Sequence, residues 1–122
     1  MAKKITVLFL TSLLVTLFFS INQAFAVSAE ENYKWYCSQC HGLTGKGNGI
    51  NATNDQPVNP KNHTDTAEMA KLTTSDVENV IRDGGAATSK STMMPPWGKS
   101  MTDAEIKELV AYLSKLCNCK FK

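Results

Sequence analysis

The stretch of this chain with the most defined chemistry is Cys37-Ser38-Gln39-Cys40-His41, two cysteines three positions apart with a histidine directly after the second. Each thiol can add to a vinyl group of a haem, and the imidazole can bind the iron from one face. Five residues thus supply two thioether tethers, Cys37 and Cys40, and one axial ligand, His41. The arrangement works where a helix ends, because a short turn between the cysteines aims both sulfurs at one edge of the ring and the next side chain at its centre. Other uses of a CxxC pair fit less well. A zinc site would need a second pair, but the remaining cysteines, Cys117 and Cys119, are only two apart, and His63 stands alone. A dithiol redox pair would need a βαβ setting, and none is visible.

A second stretch, Ser91-Thr92-Met93-Met94-Pro95-Pro96-Trp97-Gly98, offers a sulfur for the opposite face. Two prolines forbid regular helix and hold the backbone extended, so a thioether there is presented from a stiff loop. Taken alone, a methionine is usually core filler. Downstream of CxxCH the soft sulfur suits the iron of an electron-transfer haem. Met94, next to the proline pair, is the expected ligand, with Met93 as the fallback. Trp97 is expected beside the ring, or donating its indole N–H to a propionate.

The elements that must position these groups read as helices and loops. Ser28 can cap a helix from about Ala29 to Gln39, with Glu30 and Glu31 in the first turn, where the dipole favours them. Tyr33 and Ala29 lie one and two turns before Cys37. After His41 the glycines 42, 45, 47 and 49, followed by Asn and Pro residues to Pro60, mark a long loop wrapping one edge of the haem. A carbonyl in residues 56–60, with Pro57 the first choice, is expected to accept from the second nitrogen of His41. A short helix is expected over Thr64 to Lys71, with Met69 and Leu72 turned inward. A second helix is expected over Asp76 to Asp83, capped by Ser75 with Glu78 and stopped by Gly84-Gly85. His63, in the loop before them, reads as a solvated histidine. The last helix starts at a Thr102-Glu105 capping box and carries Ile106, Leu109, Val110, Leu113 and Leu116 on one face. Leu109 and Tyr112 are placed to meet Ala29 and Tyr33.

The beginning of the chain reads as an address. Lys3 and Lys4 precede an apolar run from Ile5 to Ile21 and an Ala24-Phe25-Ala26 site, so residues 1–26 are expected to be a secretory signal peptide removed after Ala26. An uncleaved anchor is the competing reading, weakened by the polar interruptions at Thr11, Ser12, Thr16 and Ser20. Export to the periplasm agrees with covalent haem attachment, which belongs outside the cytoplasm. Residues 27–122 suffice for one small domain with a thin core that a buried haem would enlarge. Of the 13 basic residues, two leave with the signal, so the remainder balances the 11 acidic ones. Nothing in that balance suits nucleic acid or an anionic membrane, and no membrane span is left after cleavage.

Taken together, CSQCH, GKGNG, MMPPWG and the terminal LVAYL segment resemble the class I c-type cytochromes of small, periplasmic, monohaem type, from Ala29 to Leu116. The resemblance implies an all-α fold, with the first and last helices crossing around one covalent haem c, and His41 and Met94 as axial ligands. It also implies a mostly buried ring with one exposed edge. Relatives shuttle single electrons between redox partner proteins. Asn48 and Ile50 stand where relatives often carry aspartate and proline, and Cys117-Asn118-Cys119 lies outside the usual pattern. A bond between residues two apart would be a strained ring, so free thiols, a disulfide between two chains giving a dimer, and a minor metal contact stay open. An intermolecular or incidental role is preferred.

An iron with six ligands has no position for a substrate, so the expectation is an electron carrier and not an enzyme. Two other readings remain. One is a module of a larger oxidoreductase. The other is a haem peroxidase or gas-binding protein in which Met94 is displaced, for which His63 is the one histidine left as a distal acid–base group.

Overall fold

The structure, a computed structural model, describes residues 27–122. The signal-peptide reading of residues 1–26 lies outside the described residues. Among the described residues there are helices and loops and no strand, as an all-α fold requires. No described helix is long and apolar enough to cross a membrane.

The first helical stretch has three parts: α1 (Ala29–Asn32), a wide π turn (Tyr33–Cys37) and α2 (Ser38–His41). Ser28 caps α1 as expected. Its hydroxyl accepts from the Glu31 N–H, and the Glu31 carboxylate accepts from the Ser28 N–H, a reciprocal box that satisfies otherwise orphaned donors. The π turn is a departure from the expected regular helix. It carries the Ser38 N–H back to the Tyr33 carbonyl, five residues earlier, and such turns gather at functional sites.

Two later helices are shifted from their expected places. The short one, α3, is only Thr66–Met69, begun by the Asp65 carboxylate accepting from the Glu68 N–H. Met69 is buried as expected. The next, α4, runs over Thr74–Ala87 and is capped by Thr73 with Asp76, not by Ser75 with Glu78. Both pairs have the box spacing. Thr73 prevails because its hydroxyl accepts from the Asp76 N–H while its own N–H donates to the Asp76 carboxylate. As expected, Gly84 ends the regular run of this helix, taking φ +81° and ψ 170°, and a short helical turn follows beyond the kink to Ala87.

The last helix, α5 (Asp103–Leu116), starts at the Thr102-Glu105 box and buries Ile106, Leu109, Val110 and Leu113. It packs on α1 and on α4. Tyr33 is fully buried, and its ring lies 5.3 Å from that of Tyr112, so the expected meeting of first and last helices is found. Burying one such leucine stabilises the fold by about 1.5–3 kcal/mol, so the α1–α5 contact is a main source of closure.

Beyond α5 the chain turns back. Asn118 adopts φ +47°, and the Cys119 N–H donates to the Ser114 carbonyl at 3.1 Å. Asparagine tolerates this left-handed conformation better than most residues. The turn brings the Cα atoms of Cys117 and Cys119 to 5.1 Å, and the two cysteines form a disulfide with each other. The expected bond between chains is therefore corrected, because a left-handed turn removes the obstacle that an extended chain would pose. The tail then fastens to the α3–α4 connection, Lys122 N–H to the Leu72 carbonyl at 2.9 Å and Thr74 N–H to the Lys122 carbonyl at 3.1 Å.

Candidate functional site

Cys37 closes the π turn, and Cys40 and His41 lie on α2, so the whole CxxCH motif sits on one continuous helical stretch. Both cysteines are free thiols. Burial and the neighbouring Cys40 push the Cys37 thiol up to about 12, which keeps it protonated. The loop after His41 folds back over the end of α2 and satisfies its carbonyls. Asn51, Gly49 and Gly47 donate to the Gln39, Cys40 and His41 oxygens at 2.8, 3.0 and 2.8 Å. Gly49 approaches so closely that a Cβ there would lie 2.3 Å from the Gln39 oxygen, the role expected for a glycine in this loop.

The His41 Nδ1–H donates to the Lys61 carbonyl at 2.9 Å. The acceptor expected in residues 56–60 is thus one residue further on, and Pro57 is exposed and not involved. The chain passes His41 a few residues later than the loop composition suggested, because residues 53–56 form a turn of their own, Gln56 N–H to the Thr53 oxygen. With Nδ1 committed, Nε2 is the nitrogen of His41 left to bind a metal. Burial holds the His41 imidazole below its usual range, which favours the neutral, ligating form.

His63 is not solvated. It is buried, its ring stacks on that of His41 with centroids 4.0 Å apart and planes 17° from parallel, and its Nδ1 is 3.1 Å from the Tyr33 hydroxyl. Burial, with His41 and Lys61 adding to it, pushes His63 down to about 3. Burial likewise raises Tyr33, so a neutral phenol shares a hydrogen bond with a neutral imidazole. No spacing in the sequence announced this contact, which joins residues thirty positions apart.

Met94 is half-buried and, like Cys37, packs against the apolar core, while Met93 is 56% exposed. The two motifs meet through Tyr36 and Trp97, whose rings lie 5.0 Å apart. The loop bearing Met94 is built onto the kink of α4. The positive φ of Gly84 frees the Ile81 and Arg82 carbonyls from the helix, and these accept from Trp97 and Gly98 at 2.9 and 3.0 Å. The Gly85 N–H donates to the Met94 carbonyl at 2.9 Å, and the Gly85 carbonyl accepts from Lys90 at 2.8 Å. A Cβ on Gly85 would lie 1.9 Å from the Ser91 oxygen. Besides interrupting the helix, the glycine pair thus positions the methionine loop. Its signal was two adjacent glycines a few residues before MMPPWG.

The donor set fits a haem c. Two unpaired thiols on one helical stretch, an imidazole with only Nε2 uncommitted, and a half-buried thioether on a stiff loop are the groups such a cofactor requires. Among the described residues no group of three or more His, Cys, Asp or Glu is placed to hold a metal ion by itself.

The fold is that of the c-type cytochromes. Among solved structures the chain is similar to the c-type cytochrome KustC0563, with a TM-score of 0.58 and 22% identity over 74% of this chain and 98% of that one. It is also similar to a chain of the Kuenenia stuttgartiensis reducing HAO-like protein complex Kustc0457/Kustc0458, with a TM-score of 0.58 and 25% identity. That match covers 80% of this chain and 44% of the other. No curated protein sequence matches the chain. The family described as cytochrome C oxidase, cbb3-type, subunit III matches residues 24–113, and the chain belongs to it.

Proposed function

We propose that this protein is a periplasmic single-electron carrier holding one haem c through thioethers at Cys37 and Cys40, with His41 and Met94 as axial ligands. The observation that carries the reading is the joint commitment of the two motifs: a carbonyl fixes Nδ1 of His41, and the α4 kink fixes the backbone of Met94. When bound, the haem supplies an iron that cycles between ferrous and ferric. The chain's part is to keep that change cheap. Ligands held by backbone hydrogen bonds keep their places in both oxidation states, and a methionine sulfur in a partly buried site favours the ferrous form. Residues 1–26 act as the export signal and residues 27–122 as the cytochrome domain.

Partners are redox proteins that dock briefly over a small area, as electron-transfer encounters do. Leu43 and Ile50, 70% and 84% exposed just after the motif, provide an apolar surface for that contact. A second reading, a subunit of a larger oxidoreductase, is favoured by the family's name and by the neighbour that belongs to a complex. The peroxidase or gas-binding reading is disfavoured, because His63 lies flat against His41 and so is not available to face a ligand across the ring from it.

The test is the mass and visible spectrum of the exported protein. A mass increased by one haem, with a weak sulfur-to-iron band at the red end of the ferric spectrum, is the expected result. A haem-free mass refutes the assignment, and prompt binding of carbon monoxide or cyanide refutes Met94 ligation. Sizing after detergent-free extraction separates a free carrier from a subunit.

A further inference from the structure

Burying a histidine is costly unless its polar atoms find partners, and a leucine or phenylalanine would fill the same space without that cost. His63 is nevertheless placed inside, and its ring meets both the haem-binding histidine and the helix that carries the motif. Its ring lies on the His41 ring at 4.0 Å and 17°. Its Nδ1 meets the hydroxyl of Tyr33 at 3.1 Å, and Tyr33 is fully buried between His63 and Tyr112. The His63 backbone is pinned as well, its N–H donating to the Gly45 carbonyl at 2.6 Å, while the Asn62 carboxamide oxygen accepts from the Thr64 N–H and hydroxyl at 2.9 and 2.7 Å.

A single hydrogen bond does not fix the plane of an imidazole. The Lys61 carbonyl sets the direction of the His41 Nδ1–H but leaves the ring able to tilt about that axis. A flat, parallel neighbour removes this freedom, because tilting would break the stack. We propose that His63 is a positioning residue for the axial ligand: its ring, held by the Tyr33 hydroxyl, sets the plane of the His41 imidazole. The assignment rests on His41 being an iron ligand, and it links the ligand's orientation to the α1–α5 packing through Tyr33 and Tyr112.

The test uses the mature ferric haem protein and two readouts, the paramagnetically shifted haem-methyl resonances, whose order and spread follow the plane of the axial imidazole, and the reduction potential. His63→Leu, which loses the stack, is expected to reorder or compress the methyl resonances and to shift the potential. His63→Phe and Tyr33→Phe each break the hydroxyl contact while keeping aromatic rings. Both are expected to displace the methyl resonances in the same sense and by less. If His63→Leu fails to mature, these two variants decide: a shared displacement supports the role, and wild-type spectra in both overturn it. A folded His63→Leu protein with the wild-type methyl pattern and potential also overturns it. Absence of shifted haem-methyl resonances from the wild-type protein would instead defeat the underlying haem reading.

Discussion

Gly85→Ala is a single methyl group aimed at the loop that carries Met94, the proposed sixth ligand. The added carbon would sit 1.9 Å from the Ser91 oxygen and 2.9 Å from the Ser91 carbonyl carbon. An ordinary contact between carbon and oxygen needs about 3.3 Å, so the Ser91 peptide would have to retreat by roughly 1.4 Å. The obstacle is backbone, which cannot rotate aside as a side chain would. The retreat strains two hydrogen bonds that close the loop on Gly85, Gly85 N–H to the Met94 oxygen and Lys90 N–H to the Gly85 oxygen. Each is worth about 0.5–1.5 kcal/mol, and overpacking adds roughly 1–3 kcal/mol. The better helix propensity of alanine returns at most about 1 kcal/mol. A net cost of about 2–4 kcal/mol on the closed loop moves the balance between bound and free Met94 by roughly 30- to 1000-fold. The expected outcome is a ferric protein with its sulfur-to-iron band weakened or gone and with rapid cyanide binding, while the thioether-linked haem remains. Ala86→Gly, at an exposed neighbour in the same helix, serves as the control and should leave the band intact. A Gly85→Ala protein with the full band and wild-type cyanide kinetics would refute the claim that the α4 kink positions Met94.

Other expected outcomes follow from the caps and the tail. The oxidised protein should run as a monomer on non-reducing gels, with Cys117 and Cys119 resistant to alkylation until reduced; a disulfide-linked dimer would contradict the pairing seen here. Replacing both cysteines by serine should lower stability by about 1–2 kcal/mol in denaturant unfolding, the modest effect expected of so short a loop. Thr102→Ala should cost about 1 kcal/mol by removing the cap of α5. Hydrogen bonds to the Ser28, Thr73 and Thr102 caps hold the Glu31, Asp76 and Glu105 carboxyls below their usual range. In the unfolded chain these groups take up protons first, near pH 4.5 for glutamate and 3.8 for aspartate. Their contribution is therefore complete above those values and is lost as pH falls through the lower folded values. Urea midpoints that decline below about pH 4.5, with a shallower decline in Glu105→Gln, would show it.

Much of the fold was legible because local rules and the final packing agree. Ser28 with Glu31 and Thr102 with Glu105 announce two helix starts, and the apolar spacing of α5 announces the face that meets Tyr33. Where two local signals compete, spacing alone cannot choose. Thr73–Asp76 and Ser75–Glu78 both read as boxes, and which one forms depends on where the chain enters α4. Gly84-Gly85 is ambiguous for a different reason. Glycine both ends helices and permits close approach; here the pair does both, and only the Met94 loop lying against it reveals the second role. The CxxCH stretch stands out because its residue types in that order are peculiar to one chemistry. The surroundings of His41 do not, since Lys61, His63 and Tyr33 reach it from parts of the chain with no periodic relation to it.

The wide turn between Tyr33 and Cys37 has a consequence for how this segment can change. It inserts an angular offset between the residues that pack on α5 and the CxxCH motif. Each residue of an ordinary helix advances the azimuth by about 100°. A π turn holds about one residue more per revolution than an α turn, so losing one residue there would leave an ordinary turn of nearly the same angle, with Tyr33 still against Tyr112. Shortening by one residue is thus tolerated here better than lengthening.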